Sequence, residues 1–199
     1  MNTAIDFYFD FSSPYGYFAS AKIDALAAKY GRTVAWRPIL LGIVFKTTGG
    51  RPLPELPLKG EYVRSDFERS ARFHGIPYRT PIAFPVGTMS AVRAFWWLQA
   101  TDPAKAVALA KALYRAYFVD GANISDTGEV IKSAQGIGLG ADEVAAGIND
   151  PAVKEKVKME IESAIARNVF GSPYVIVDNE PFWGVDRFDQ LERWLQGPF

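Results

Sequence analysis

The sequence predicts an α/β fold in which the two ends of the chain build one mixed sheet and a helical domain is inserted between them. Three observations carry this. Residues 5–11 alternate apolar and polar, then run straight into a helix opened by a proline. From residue 61 to about 168 every segment has helical spacing. From residue 174 the chain returns to strand, turn, strand and helix.

Ile5, Phe7, Phe9 and Phe11 alternate with Asp6, Tyr8 and Asp10, giving a strand with one strongly apolar face. Pro14 suits the first position of a helix, where its missing N–H costs nothing. Tyr15, Phe18, Ala19, Ile23, Leu26, Ala27 and Tyr30 then follow helical spacing up to a stop at Gly31. Thr33 to Ile39 reads as a second strand, so the opening is a β-α-β unit with parallel strands and a right-handed crossover. Residues 47–60, TTGGRPLPELPLKG, read as a long Gly/Pro-rich loop, a kind that is commonly functional or mobile. Helices are predicted over Glu61–Phe73, Ser90–Ala100, Pro103–Phe118, Asp126–Gln135 and Asp142–Ile148, with a last one from Pro151 capped by Asp150. Tyr174–Asp178 is a strand, Asn179–Glu180 a tight turn and Pro181–Trp183 the partner strand. Arg187–Leu195 is a helix that Asp186 can cap. The expected domain organisation is a first half-domain over 1–60, an inserted helical domain over 61–150 and a second half-domain over 151–199.

Composition narrows the function. Among 199 residues, 22 Lys and Arg balance 22 Asp and Glu, so there is no electrostatic footprint for nucleic acid or an anionic membrane. The opening MNTAIDFYFD has no basic segment and carries acids in its apolar run, so it does not read as a signal peptide. No run approaches the ~18 apolar residues of a spanning helix. The absence of cysteine excludes disulfides, thiolate metal sites and a protein thiol nucleophile. A single histidine, His74, argues against a histidine metal site or a Ser-His-Asp triad. We expect a cytoplasmic protein with no metal, no nucleic acid and no membrane among its partners.

A β-α-β half, a β-β-α half and a proline just before the third strand is the layout of the thioredoxin fold, and the insertion is that of its DsbA-like variation. SPYG, residues 13–16, stands where that fold carries its C-x-x-C motif, with serine for the first cysteine and glycine for the second. The chain therefore resembles the glutathione-dependent branch of the superfamily, the 2-hydroxychromene-2-carboxylate isomerases and kappa-class glutathione transferases. DFYFDFSSPYGYFA, RPILLGIVFKTTGGRP, PLKGEY and FGSPYVIVDNEPFWGVDRFDQLERWL carry the resemblance, in order and over almost the whole chain.

The resemblance implies glutathione as cofactor, a small aromatic carboxylate as substrate and a homodimer. It makes Ser13 the catalytic residue, with Ser12 as the helix cap; the plainer alternative is that one of these serines only caps. The reactive sulfur would be glutathione's own. Lowering a thiol pKa by two units takes about 2.7 kcal/mol. A helix N-terminus supplies ~0.3–2 kcal/mol and a hydrogen bond to a charged group ~1.5–3 kcal/mol, which suffice together. Ser172 and Pro173 match the cis-proline turn, whose main chain would pair with the cysteinyl backbone of glutathione. Val185 and Asp186 match the site of the γ-glutamyl end, and Lys59 a lysine that pairs with a glutathione carboxylate; simple capping and a solvated lysine are the alternatives. Ser172 departs from the family's usual valine. Gly16 replaces a usual serine, which is expected to leave room beside the sulfur, and Gly50 replaces a usual asparagine contact. Phe95, Trp96, Trp97, Tyr114 and Tyr117 could wall an aromatic pocket, although core is the plainer reading. Lys46 and Arg93 are candidates for a substrate carboxylate. The implied reaction is isomerisation between 2-hydroxychromene-2-carboxylate and trans-o-hydroxybenzylidenepyruvate; the alternatives are a kappa-like transferase and a redox-inactive thioredoxin-like binding module.

Overall fold

A computed structural model describes residues 4–197. Its sheet has four strands in the order β2-β1-β3-β4. Strand β1 (Ile5–Phe9) pairs in parallel with β2 (Val34–Pro38) and antiparallel with β3 (Tyr174–Val177), which pairs antiparallel with β4 (Glu180–Trp183). The two ends of the chain therefore meet at the β1–β3 ladder, where Tyr8 lies opposite Tyr174. That register brings the segment after β1 beside the segment before β3.

The alternation of β1 sorts two cores. Phe7 and Phe9 are fully buried on one face, stacked at 5.1 Å, with the edge of Trp36 against both. Each buried phenylalanine of this kind contributes up to about 1.5–3 kcal/mol. On the same face lie Phe18, Phe95, Leu113, Tyr114, Val175, Val177 and Leu191. The opposite face packs Tyr8, Tyr174 and Ile176 against Ile39, Val44, Ala164 and Val169. Asp6 on that face accepts from both Arg37 and Arg167.

Helices account for the rest: α1 (Pro14–Ser20), α2 (Ile23–Lys29), α3 (Leu41–Thr48), α4 (Lys59–His74), α5 (Met89–Gln99), α6 (Pro103–Arg115), α7 (Thr127–Gln135), α8 (Ala141–Asn149), α9 (Pro151–Ala166) and α10 (Phe188–Gln196). The side chain of Asp150 caps α9 as expected, accepting from Ala152 N.

Four local differences from the sequence reading have identifiable causes. The helical spacing from Tyr15 to Tyr30 is divided at Ala21–Lys22, where the Ser20 hydroxyl donates to the Tyr17 carbonyl and competes with the helix ladder. Helix α3 was not foreseen, because Leu40 before it offers no capping side chain. Its first N–H is satisfied instead from another element, by the Asp10 carboxylate at 2.8 Å. The hairpin turn falls on Asp178–Asn179, one residue earlier than expected, and both have positive φ as a two-residue hairpin of this hand requires. Asp186 does not cap α10. Gly184, at φ 99°, leads into a short 3₁₀ turn over Val185–Arg187 that takes up Asp186, whose carboxylate accepts from Arg187.

Candidate active site around Ser13

Strand β1 delivers the chain to a buried acid. Asp10 is 5% exposed. One carboxylate oxygen accepts from the Ser12 N–H at 2.8 Å and the Thr88 hydroxyl at 3.1 Å, and the other from Leu41 N–H. Its own N–H donates to the Ser172 hydroxyl at 2.9 Å, and its carbonyl accepts from the Tyr114 hydroxyl at 3.1 Å. Burial pushes the Asp10 carboxyl up, against the pull of the three hydrogen bonds it accepts. One residue thus pins β1, the start of α3, the approach to α5 and the turn before β3. Its local signal was an aspartate two residues ahead of the N–H it accepts, the pattern of an Asx turn.

With Ser12 N–H committed to Asp10, the two serines point apart, and the helix cap falls to Ser13 instead of Ser12. Ser12 does not cap α1; its hydroxyl accepts from Val86 N–H at 3.0 Å. Ser13 is the cap. Its oxygen accepts from Gly16 N–H at 3.1 Å, and its proton goes to the Ser172 carbonyl at 2.9 Å. The Ser172–Pro173 bond is cis, and both residues are buried. A second cis bond, Phe84–Pro85, lies two residues before Gly87 in the loop that meets Ser12.

Gly16 does not leave free room, contrary to expectation. A Cβ there would stand 2.7 Å from the Ser172 hydroxyl and 2.8 Å from the Tyr114 hydroxyl. Position 172 carries its polar atom into the space that a side chain at 16 would need.

The outlying site residues sit on two elements that both pack on α1. Lys59 is the first residue of α4 and is exposed. It follows Leu58, which has φ 66° and is 94% exposed, in a three-residue turn closed by Lys59 N–H to the Pro57 carbonyl. The Tyr15 hydroxyl donates to Asp66 at 2.5 Å, and Phe67 packs edge-on against Tyr15, so α4 is fastened to α1. Burial raises Asp66, but the Tyr15 and Arg69 hydrogen bonds outweigh it and hold its carboxyl below the usual range. Burial, Asp66 and the charge of nearby Asp186 push the Tyr15 phenol well up. Asp186 is exposed beside α1, whereas Val185 turns into the core.

Of the predicted residues, Ser13, Ser172 and Pro173 are contiguous, and Lys59 and Asp186 stand out in solvent. Gly50 lies against the Phe45 ring, where a Cβ would meet it at 2.8 Å. Phe95, Trp96, Tyr114 and Tyr117 are packed in the core, while Trp97 lies over Gly147. Trp183 covers the Gly171 backbone and packs on Phe170 at 4.9 Å. Lys46 is exposed on α3, and Arg93 on α5 has its Nε buried. Burial and Lys22 lower His74 at the end of α4. Among the described residues, no group of three acidic or histidine side chains could hold a metal, and no helix is long and apolar enough to cross a membrane.

A serine cap thus bonds the residue before a cis-proline just beyond the end of β1. A family model described as a DSBA-like thioredoxin domain matches residues 4–196. The chain belongs to this family. Within it, this DSBA-like protein is 32% identical over 197 residues to a 2-hydroxychromene-2-carboxylate isomerase of Sphingobium xenophagum, covering 98% of this chain and 99% of that one. It is 27% identical over 206 residues to glutathione S-transferase kappa 1 of Caenorhabditis elegans, covering 98% and 91%. The solved structure of a 2-hydroxychromene-2-carboxylate isomerase superposes with a TM-score of 0.87 at 27% identity, over 98% of this chain and 95% of the other. The fold is thus a DsbA-like thioredoxin fold, and the relatives are enzymes of the isomerase and kappa-transferase branch.

Proposed function

We propose that this protein is a glutathione-dependent isomerase that interconverts 2-hydroxychromene-2-carboxylate and trans-o-hydroxybenzylidenepyruvate, or a closely related aromatic keto acid. The observation that carries the reading is the Ser13 hydroxyl, buried and held between the Gly16 N–H and the Ser172 carbonyl where a dithiol protein of this fold would place its first sulfur. The donor set fits glutathione. That tripeptide has one thiol, one ammonium and two carboxylates; the site has one hydroxyl, an exposed carboxylate at Asp186, an exposed ammonium at Lys59 and a main-chain carbonyl at Ser172.

Bound glutathione would supply a thiolate that adds reversibly to a conjugated double bond, which then rotates as a single bond before elimination. Ser13 donates its hydrogen bond to the sulfur and keeps its own proton throughout. Because α1 has only seven residues, its dipole is a small contribution, and the hydroxyl carries most of the roughly 2.7 kcal/mol that a two-unit shift requires. Lys59 orients a glutathione carboxylate and Asp186 the γ-glutamyl ammonium. Ser172 and Pro173 hold the cysteinyl main chain, and the buried Val185 sets the turn that presents Asp186. We propose in addition a cytoplasmic location and a homodimeric assembly.

The kappa-transferase reading uses the same groups, and the identity to the Caenorhabditis elegans protein favours keeping it as the second reading. The absorbance change of 2-hydroxychromene-2-carboxylate, followed with and without catalytic glutathione, separates the two. Turnovers far exceeding the glutathione present, and lost in Ser13→Ala, are expected. Stoichiometric consumption of glutathione would make the protein a transferase. A folded protein that binds no glutathione would defeat both.

A further inference from the structure

The Ser13 hydroxyl has one proton, and it is already committed. It donates to the Ser172 carbonyl at 2.9 Å, while the oxygen accepts from the Gly16 N–H at 3.1 Å. Ser13 and Ser172 are 8% and 9% exposed, so solvent has little access to either group. A hydroxyl that stabilises a thiolate must point its proton at the sulfur. It cannot do that and serve the carbonyl at once. Releasing the carbonyl without a replacement donor would leave a buried acceptor unsatisfied, which is unfavourable.

We infer that glutathione activates its own thiol through a hydrogen-bond exchange at Ser172. This rests on the proposed glutathione site. The cysteinyl N–H of the ligand donates to the Ser172 carbonyl, and the Ser13 proton, now free, turns about the Cβ–Oγ bond and donates to the sulfur. The Gly16 N–H holds the oxygen in place, so only a hydrogen moves. The thiol proton leaves to solvent, no covalent bond of the protein changes, and every donor and acceptor in the turn remains matched. Thiol activation is thereby coupled to main-chain recognition. A small thiol without a correctly placed N–H meets a hydroxyl still turned away from it.

The exchange makes a prediction that opposes intuition for Ser13→Ala. S-methylglutathione has the N–H but only a thioether, a weak acceptor that gives the hydroxyl little in return. Removing the hydroxyl frees the Ser172 carbonyl in advance. Calorimetric titration should therefore show S-methylglutathione binding Ser13→Ala several-fold tighter than the unaltered protein, with glutathione itself binding the variant more weakly at neutral pH. Equal or weaker binding of S-methylglutathione to the variant would overturn the exchange.

A second measurement is independent of Ser13→Ala and its folding. The thiolate absorbance of bound glutathione, titrated with pH, is compared with that of its depsipeptide analogue, in which an ester oxygen replaces the cysteinyl N–H. The analogue's bound thiol should titrate at least about one unit higher, a tenfold smaller thiolate fraction below that range. Identical titration of the two would overturn the exchange while leaving the glutathione site intact. If neither glutathione nor S-methylglutathione binds the unaltered protein, the proposed function itself is what has failed.

Discussion

The turn around Asp10, Ser13 and Ser172 and the rim formed by Lys59 and Asp186 are built on opposite principles. In the turn, Asp10, Ser13 and Tyr114 are buried and Ser12 half-buried, and each is bonded to another element: Asp10 to Leu41 and Thr88, Ser12 to Val86, Ser13 to Ser172, Tyr114 to Asp10. At the rim both side chains are exposed, and Asp186 pairs with its sequence neighbour Arg187. The difference teaches where precision is kept. The Ser13 hydroxyl is held in place by the fold itself, whereas the two charged side chains at the rim stand exposed.

The sharpest way to break this comparison is Ser13→Ala. Isomerisation should fall by about 10²-fold in kcat, the loss of a two-unit thiol shift at neutral pH. Urea unfolding should show roughly 2 kcal/mol, from the lost helix cap and the Ser172 carbonyl left without its donor. An unchanged kcat in the folded variant would mean that Ser13 is structural.

Asp10 should show the reverse pattern. Asp10→Ala leaves three buried donors without an acceptor and should cost about 2–4 kcal/mol in urea denaturation. Asp10→Asn tests its charge. Because the folded carboxyl titrates above its unfolded value, it binds more protons folded than unfolded between those two values. Its contribution to stability is therefore full below the ordinary carboxylate range and is lost as pH rises through the raised pKa. The stability of the unaltered protein relative to Asp10→Asn should fall over that window, and a flat difference would show that the charge is not desolvated.

The α1–α4 fastening comes next. Tyr15→Phe removes a hydrogen bond to a carboxylate and should cost about 1–2 kcal/mol, discounted because Asp66 is partly exposed. With Asp66 held low by Tyr15 and Arg69, the same bond should protect the protein at neutral pH and stop doing so as pH falls through the depressed Asp66 value. The smallest effect belongs to the rim. Lys59→Ala should raise KM for glutathione by roughly two- to fivefold, leave kcat unchanged and lose its effect in high salt. A large kcat effect would place Lys59 at the reacting atoms and erase the distinction between rim and turn.

Much of this was legible in the sequence where the signal was local. Period-two alternation at Ile5–Phe11, the proline opening α1 and the Asp150–Pro151 helix start each depend on neighbouring residues, and the structure carries all three. The failures share the opposite property. Helix α3 is capped by Asp10, thirty-one positions away, and the choice between Ser12 and Ser13 is made by Asp10 and Val86. Gly16 looked like vacant space because its occupants, Ser172 and Tyr114, come from β3's approach and from the inserted helices. Each element type could be read from its own residues, but the site's wiring crosses between elements and had no local trace.

The crowding at Gly16 bears on the re-engineering of this chain. Restoring a two-cysteine motif by Ser13→Cys and Gly16→Cys would drive the second side chain against two hydroxyls at 2.7 and 2.8 Å. The Ser172 hydroxyl can rotate away, but that of Tyr114 is fixed on a fully buried ring. A disulfide version of this protein therefore needs a change at 114 besides those at 13 and 16. Thiol redox chemistry at this helix start is opposed by a neighbour from another part of the chain as well as by the missing sulfurs.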